Sequence, residues 1–296
     1  MKRFLNLILV LFTVFALTQT LIRWLPGDPA QFLLAQTGLK ISVEQLRAEM
    51  GLNHSVTHFL PSLLVDWTQG KWGNSLLTGL PVKPQILSHA WTTLKITFLT
   101  LTLALAFTLA LGLTTQTSLE PYARKWNQLW TALPLPWVAP LFMYLFAVKI
   151  PLFSFATSNQ PGLSELLMPS LVLAFFLSAA WSRLLRDRLQ ESLAWGSARA
   201  ARARGLPEWK VRLKYGIAPV SGVLLAYLGS QTGSLLGGAL LTETIFNLHG
   251  TGTLLVESAL SRDYPVFQAA AFWVACVALL GNTLGDWLQE RMSHEP

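Results

Sequence analysis

Six long apolar windows constrain this chain more than any other feature of its sequence. They cover residues 4–22, 96–119, 126–148, 166–182, 215–242 and 264–285. None of the windows contains Asp or Glu, and a helix needs about 20 mostly apolar residues to cross the hydrocarbon core of a bilayer. Only 12% of the chain is charged, against about 25% in soluble domains. The sequence therefore predicts an all-α membrane protein with six transmembrane helices.

The basic residues predict how these helices are oriented. The loop at residues 183–214 holds nine Lys or Arg against three acids, and Lys and Arg collect in cytoplasmic loops of membrane proteins. If all six windows span, five more basic residues fall on the same side: Lys2, Arg3, Arg124, Lys125 and Arg291. We therefore expect both termini and this loop in the cytoplasm. The net charge of +7 is then a topology signal, and no nucleic-acid partner is expected.

This topology divides the chain into three parts. Residues 1–25 form the first transmembrane helix, residues 26–90 an extracytoplasmic segment, and residues 91–290 a five-helix core that includes the cytoplasmic loop 183–214. The extracytoplasmic segment is expected to be folded. Ser42 and Gln45 have the spacing of a capping box at a helix start, and Gly51 can end that helix.

The sequence lacks the motifs that are typical of nucleotide-binding, metal-binding and protease sites. Gly70 and Lys71 lack the other residues of a phosphate-binding loop, and the five histidines form no His-Glu-x-x-His unit. Ser164 stands in no Gly-x-Ser-x-Gly elbow, which argues against an intramembrane protease. Cys276 is the one cysteine, so no thiolate metal site exists. We predict that the chain is not an enzyme and holds no metal or cofactor of its own.

Residues 199–207 read Arg-Ala-Ala-Arg-Ala-Arg-Gly-Leu-Pro and predict a short helix with a sharp end. Ala and Arg are strong helix formers. Gly205 suits the left-handed position just past a helix, where Leu206 can fold back onto the last turn. Pro207 fits the first position of a second helix over residues 208–215. This shape favours docking into a groove of another protein; positive-inside charge with contact to anionic lipid is the alternative interpretation.

A stripe of small residues marks the fifth window. Its members recur at spacings of three and four: Gly222, Ala226, Gly229, Gly233 and Gly237. Ser230, Gln231 and Thr232 add polar groups at the same depth. Ordinary helix packing explains each residue taken singly. As a set they indicate a central helix at a subunit interface or along a translocation path, and we assign this role to Gly229, Ser230, Gln231, Gly233 and Gly237.

At residues 199–205 the chain resembles the membrane permeases of binding-protein-dependent ABC importers. It is most similar to the first permease subunit of their peptide and nickel subgroup. The family's cytoplasmic signature is Glu-Ala-Ala-x-x-x-Gly, with Arg common at the first position in this subgroup, and Arg199, Ala200, Ala201 and Gly205 match it. Further similar stretches occur along nearly the whole chain, at residues 25–30, 235–238, 243–246, 250–252 and 262–265.

The resemblance implies a permease that forms half of a translocation pathway in the bacterial inner membrane, surrounded by lipid. Its expected partners are a second homologous permease, two ABC ATPase subunits that bind and hydrolyse ATP-Mg, and an extracytoplasmic solute-binding protein. In the family the signature segment is the coupling helix, which inserts into a cleft of the ATPase.

The resemblance also implies roles within the coupling segment. Gly205 forms the corner, and Ala200 and Ala201 allow close docking. The other assigned residues are three arginines for polar contacts with the ATPase and two residues that complete the corner: Arg199, Arg202, Arg204, Leu206 and Pro207.

The substrate implied by the resemblance is a di- or oligopeptide. Nickel or another small solute is the alternative within the same class. A secondary transporter is an alternative from another class, and it needs an acidic or polar ion site near mid-membrane, whereas the six windows contain no acid. A membrane scaffold that transports nothing is the remaining alternative.

Overall fold

The computed structural model describes residues 2–24, 30–31, 34–35, 42–49, 56–154 and 161–293. Secondary structure in these residues is helical, apart from one isolated bridge between Asn74 and Pro81. The all-α class predicted from the apolar windows is confirmed. Most of the stretch 25–30 and the helix stop expected at Gly51 lie outside the described residues.

The helices follow one another along the whole described chain. In the first half they are α1 (Lys2–Trp24), α2 (Val43–Glu49), α3 (Val56–Thr68), α4 (Val82–Leu113), α5 (Glu120–Ala132) and α6 (Leu135–Met143). In the second half they are α7 (Leu163–Leu193), α8 (Gly196–Ala203), α9 (Glu208–Val211), α10 (Ala218–Ser230), α11 (Thr232–Ile245), α12 (Thr251–Leu260) and α13 (Tyr264–Ser293). Helices α6 and α9 continue as π-helical turns, Tyr144–Lys149 and Arg212–Ile217.

Three helices of the described part are long and apolar enough to cross a membrane: α4, α7 and the stretch Tyr264–Trp287 of α13. A fourth span results if the bent pair Glu120–Ala132 and Leu135–Lys149 is counted as one. Helix α1 covers the first predicted window and contains the shorter apolar stretch Ile8–Thr18. The structure thus supports a multi-pass chain, and the six-span arrangement stays a prediction.

The third window, predicted as one helix over residues 126–148, is interrupted. Helix α5 ends at Ala132, and the following helix leaves at an angle of 103°. Leu133 has extended backbone dihedral angles, φ −87° and ψ 130°, because the ring of Pro134 excludes the helical conformation at the residue before it. The fifth window is interrupted too, since Gln231 lies between α10 and α11.

By its contacts the chain divides into two units, Met1–Thr92 with His249–Leu279, and Thr93–Leu248 with Leu280–Pro296. In the first unit, aromatic rings of Phe15, Trp67, Trp72 and Phe272 form a cluster with centroid separations of 5.2 to 5.7 Å. Such edge-to-face and offset contacts stabilise aromatic pairs beyond their buried area. The cluster joins α1, α3 and α13 within this unit.

Two sets of hydrogen bonds from side chains fix the backbone of the first unit. Ser42 and Gln45 form the predicted capping box at the start of α2, with reciprocal hydrogen bonds of 3.1 Å. The buried carboxylate of Asp263 accepts hydrogen bonds from the hydroxyl of Ser75 and, at 3.1 Å, from the backbone N–H of Leu76. Asp263 thereby holds the turn that precedes α4.

The second unit is built on the contact of α5 with α7. Trp130 packs against Phe175 and Phe176, with centroids 4.8 and 5.4 Å away. One turn earlier on α5 the buried Asn127 amide bonds the Ser182 hydroxyl at 2.9 Å. An aromatic layer and a buried hydrogen bond therefore fix the register of the two helices.

Gly229 of α10 and Gly285 of α13 bring two helix backbones into contact. A Cβ atom on Gly229 would lie 2.2 Å from the Cα atom and 2.7 Å from the nitrogen of Gly285. Small residues permit such close approach between membrane helices. Gly229 therefore packs within this chain.

We predict that Gly229→Ala lowers the stability of the solubilised protein by about 1–3 kcal/mol, the usual cost of overpacking. The atoms that would clash belong to backbone and cannot rotate away. Gly196→Ala is the matched control, because a Cβ atom there would meet no atom within 4 Å. The midpoint of thermal unfolding in detergent measures both variants, and an equal shift for the two would contradict the interpretation.

Candidate functional site

The corner predicted at Gly205 is present at the end of α8. Gly205 has φ +75°, and its N–H donates to the carbonyl of Arg202 at 2.9 Å. The next N–H, that of Leu206, donates to the carbonyl of Ala201 at 3.3 Å. These two bonds define a Schellman motif, which satisfies carbonyl groups at the helix end and turns the chain. Pro207 differs slightly from the prediction, since it precedes α9 with an extended ψ of 143°.

The inner face of α8 is buried against the end of α7. Ala198 and Ala201 are fully buried, and they pack with Leu189 and Leu193 of α7. Leu206 packs against the same cluster, which is the hydrophobic contact that usually accompanies a Schellman motif. Ala201 is therefore needed for packing within the chain and is not free to approach a partner.

The outer face of α8 and its flanks is exposed. Its residues are Trp195, Arg199, Ala200, Ala203, Arg204, Gly205, Pro207 and Trp209; we call them the docking face. Two of them are large aromatic side chains, Trp195 and Trp209, at 50% and 60% exposure. Tryptophan and arginine are the residues most enriched where protein interfaces gain their binding energy. The composition of the docking face fits a protein partner.

Arg202 is partly exposed, at 34% of its side chain, and it bonds its own chain. Its Nε and Nη2 atoms donate to the two carboxylate oxygens of Glu208 at 3.1 and 3.0 Å. Its Nη1 donates to the carbonyl of Leu193, the last residue of α7, at 3.1 Å. The bond from Arg202 lowers the pKa of Glu208, and Glu208 in turn raises the pKa of Arg202. The pair therefore stays ionised throughout the neutral range.

Arg212 is a functional candidate that the sequence interpretation missed. Its side chain is only 10% exposed, and its Nε lies 3.4 Å from the same Glu208 carboxylate. Its Nη atoms donate to the carbonyls of Leu113, at 3.0 Å, and Thr115 and Gln116, where α4 ends. The four-residue spacing from Glu208 was the one signal available, because the other partners lie about a hundred residues earlier in the sequence.

Glu243 is a second residue that the apolar windows did not reveal. It lies in α11, one residue beyond the fifth window, and it is fully buried. The hydroxyl of Thr93 donates to its carboxylate at 2.6 Å. The windows themselves contain no acid, but helix α11, which begins within the fifth window, does.

The other predicted residues fall at the break between α10 and α11. Gly229 and Ser230 end α10, Gln231 forms the break, and Gly233 and Gly237 lie on α11. Their role on a translocation path stays a prediction. Within the part of the chain that the structure describes, no group of three or more His, Cys, Asp or Glu side chains is arranged to hold a metal ion.

The exposed corner lies within a region that matches a known family. Residues 103–294 match the family described as the binding-protein-dependent transport system inner membrane component. Among curated proteins, the glutathione transport system permease protein GsiC of Escherichia coli (strain K12) is 29% identical over 297 residues, covering 97% of this chain and 94% of its own length. The protein of the same name from Shigella flexneri serotype 5b (strain 8401) is 30% identical over 298 residues, with the same coverage.

A solved structure supports the fold. The crystal structure of an amino acid ABC transporter with histidines superimposes with a TM-score of 0.53 at 20% identity, covering 70% of this chain and 94% of that chain. The family match alone extends over more than half of the sequence. This chain therefore belongs to the binding-protein-dependent transport system inner membrane components, as a multi-pass inner-membrane permease of the peptide and nickel type of ABC importer.

Proposed function

We propose that this chain is the transmembrane subunit through which two ABC ATPases drive the import of a short peptide. It forms half of the translocation pathway, and a second homologous permease forms the other half. All six apolar windows span the membrane, with both termini and α8 in the cytoplasm. A solute-binding protein delivers the substrate from outside, and the ATPase subunits hold ATP-Mg.

The exposed docking face of α8 carries this proposal. Arg199, Ala200 and Arg204 are exposed beside a rigid corner, in the segment that matches the family's coupling signature. The buried face of α8 packs onto the end of α7. A partner that moves α8 therefore moves the end of a long apolar helix with it. ATP-driven closure of the ATPases would in this way switch the helix bundle between two access states.

Glutathione is the first substrate to test. The relatives that align over 97% of this chain are named as glutathione transport permeases, and glutathione is a small peptide. A nickel or other small-solute importer is the second candidate within the class. The buried Glu243 supplies the kind of group that a secondary transporter would use, but a chain of that class has no need of an exposed docking corner.

Co-purification and uptake test the proposal together. A tagged chain extracted from its native cell is expected to retain a second permease and ATPase subunits, and deleting its gene is expected to abolish binding-protein-dependent uptake of labelled glutathione. If the ATPases co-purify but deletion of the gene leaves glutathione uptake unchanged, the substrate is another peptide or nickel. Recovery of the chain without any ATPase would contradict the importer proposal.

We predict that Gly205→Val abolishes transport while the protein still inserts in the membrane. A Cβ at Gly205 meets no atom within 4 Å, so the sole obstacle is its left-handed backbone, which costs a side chain about 1–2 kcal/mol. Gly196→Val is the control, because Gly196 has equal space and no positive φ. Gly205→Asn is expected to retain part of the activity, since Asn tolerates this conformation. Normal uptake by the Gly205→Val variant would refute the role of the corner.

Charge reversal on the docking face is expected to weaken ATPase binding. Arg199→Glu should reduce the ATPase that co-purifies, because a reversed charge at an interface meets like charge. Lys125→Glu, an exposed change on α5, is the matched control and should leave ATPase recovery intact. Equal recovery with both variants would show that Arg199 lies outside the interface.

A further inference from the structure

Glu208 stands between two arginine side chains that each reach a different long helix. Arg202 binds both oxygens of its carboxylate at 3.0 and 3.1 Å, and Arg212 approaches one of them at 3.4 Å. Arg202 also bonds the carbonyl at the end of α7, and Arg212 bonds the carbonyls at the end of α4. One carboxylate therefore links the last residues of two helices that are long enough to span a membrane.

The chemistry of these contacts makes the link stiff. An arginine presents five donors in a planar fork, so one guanidinium can bind a carboxylate and a carbonyl at once in a fixed geometry. The carbonyl end of a helix carries partial negative charge and attracts a cation. Glu208 is the first residue of α9, where a negative charge is also favoured.

Burial makes the Arg212 side of the link the stronger one. Exposed ion pairs contribute little, and Glu208 and Arg202 are exposed to 46% and 34%. Arg212 is 10% exposed, and its guanidinium is surrounded by acceptors. Breaking a bond of a buried charge leaves that charge unsatisfied, which is costly. Arg212 is thus anchored to the end of α4 whatever Glu208 does, and Glu208 determines whether that anchor is tied to Arg202.

We propose that Arg202, Glu208 and Arg212 form a strut that transmits movement of the α8 corner to the ends of both α7 and α4. The chain connects α8 directly to α7, whereas among these three side chains Arg212 reaches the end of α4 and Glu208 ties Arg212 to Arg202. The inference rests on the proposed function, in which ATPases move α8. It assigns Glu208 and Arg212 as positioning residues that contact neither ATP nor substrate.

The test measures movement of the segment that follows α4, whose carbonyl groups Arg212 bonds, and it needs no knowledge of the substrate. Ser118→Cys places a thiol on an exposed position five residues past α4, in a Cys276→Ser background in which this chain has no other thiol, and labelling is followed on this chain. The complex of this chain with its second permease and ATPases is reconstituted in liposomes. The rate of reaction with a maleimide is compared without nucleotide and with ATP trapped by vanadate.

The rates with and without nucleotide are expected to differ in the otherwise native chain. In Glu208→Gln they should become equal while ATP hydrolysis continues. The neutral amide loses the second acceptor oxygen, which bonds Nε of Arg202, and it loses the negative charge that attracts both guanidinium groups. Arg212→Lys should behave in the same way, since one ammonium group cannot reach the carboxylate and the carbonyls of α4 together. A purely structural role for Glu208 would lower hydrolysis and recovery of the complex instead.

Glu191→Gln is the matched control. Glu191 forms an exposed ion pair with Arg188 on α7, at 3.4 Å, and has no part in the strut, so the nucleotide-dependent difference should persist. Three results would overturn the proposal: a full difference in Glu208→Gln or Arg212→Lys, no difference in the native chain, or loss of ATPases from the Glu208→Gln complex. Absence of ATPases from the native chain would instead refute the proposed function.

Discussion

Carbonyl groups at the end of a helix need hydrogen-bond donors. The arrangement of the α8 corner depends on which side chains donate to the carbonyl groups at the ends of α4 and α7. The last four carbonyls of any helix have no partner within it. In α4 and α7, arginine side chains supply donors to the final residues, Leu113 and Leu193. A buried guanidinium has the opposite requirement, because its donors need acceptors. The helix ends and the arginines therefore satisfy each other.

This exchange decides which residues remain for a partner. Arg202 is occupied by Glu208 and Leu193, and Ala201 is buried against α7. Ala201 is therefore not exposed, although it belongs to the coupling signature, and the donors of the 34% exposed Arg202 side chain already bond this chain. The exposed set is narrower and contains the two tryptophans that flank α8. The signature thus combines residues that pack or bond the segment onto its own chain with residues that are exposed on its surface.

Local features of the structure could be predicted from the sequence, and distant ones could not. The capping box of Ser42 and Gln45 and the left-handed Gly205 depend on residues within a few positions of one another. Arg212 finds its acceptors near Leu113, 99 residues earlier, and no sequence spacing reveals such a contact. The bend after Ala132 could be predicted only in part. Pro134 signals it, but hydropathy alone reads the window as one continuous helix.

Apolar side chains on the outside of the helices and polar side chains inside explain why hydropathy alone does not show which helix face is buried. Phe98 and Trp137 are 75% and 79% exposed, which suits a surface that faces lipid, because the hydrocarbon is as apolar as the side chains. Inside the second unit, α4 buries Thr97, Thr100 and Thr108. Small residues permit close helix packing in membranes. The hydrophobic pattern therefore locates membrane helices without showing which face of each is buried.

The length of α4 has a mechanical consequence. Its 32 residues extend about 48 Å at 1.5 Å per residue, whereas the hydrocarbon core is about 30 Å thick. Such a helix must tilt or protrude from the membrane. A change in tilt of about 10° around its midpoint displaces each end by about 4 Å in opposite directions, given this length. A sideways push near Leu113 would then reappear at Val82 on the far side, with no hydrogen bond inside the helix broken.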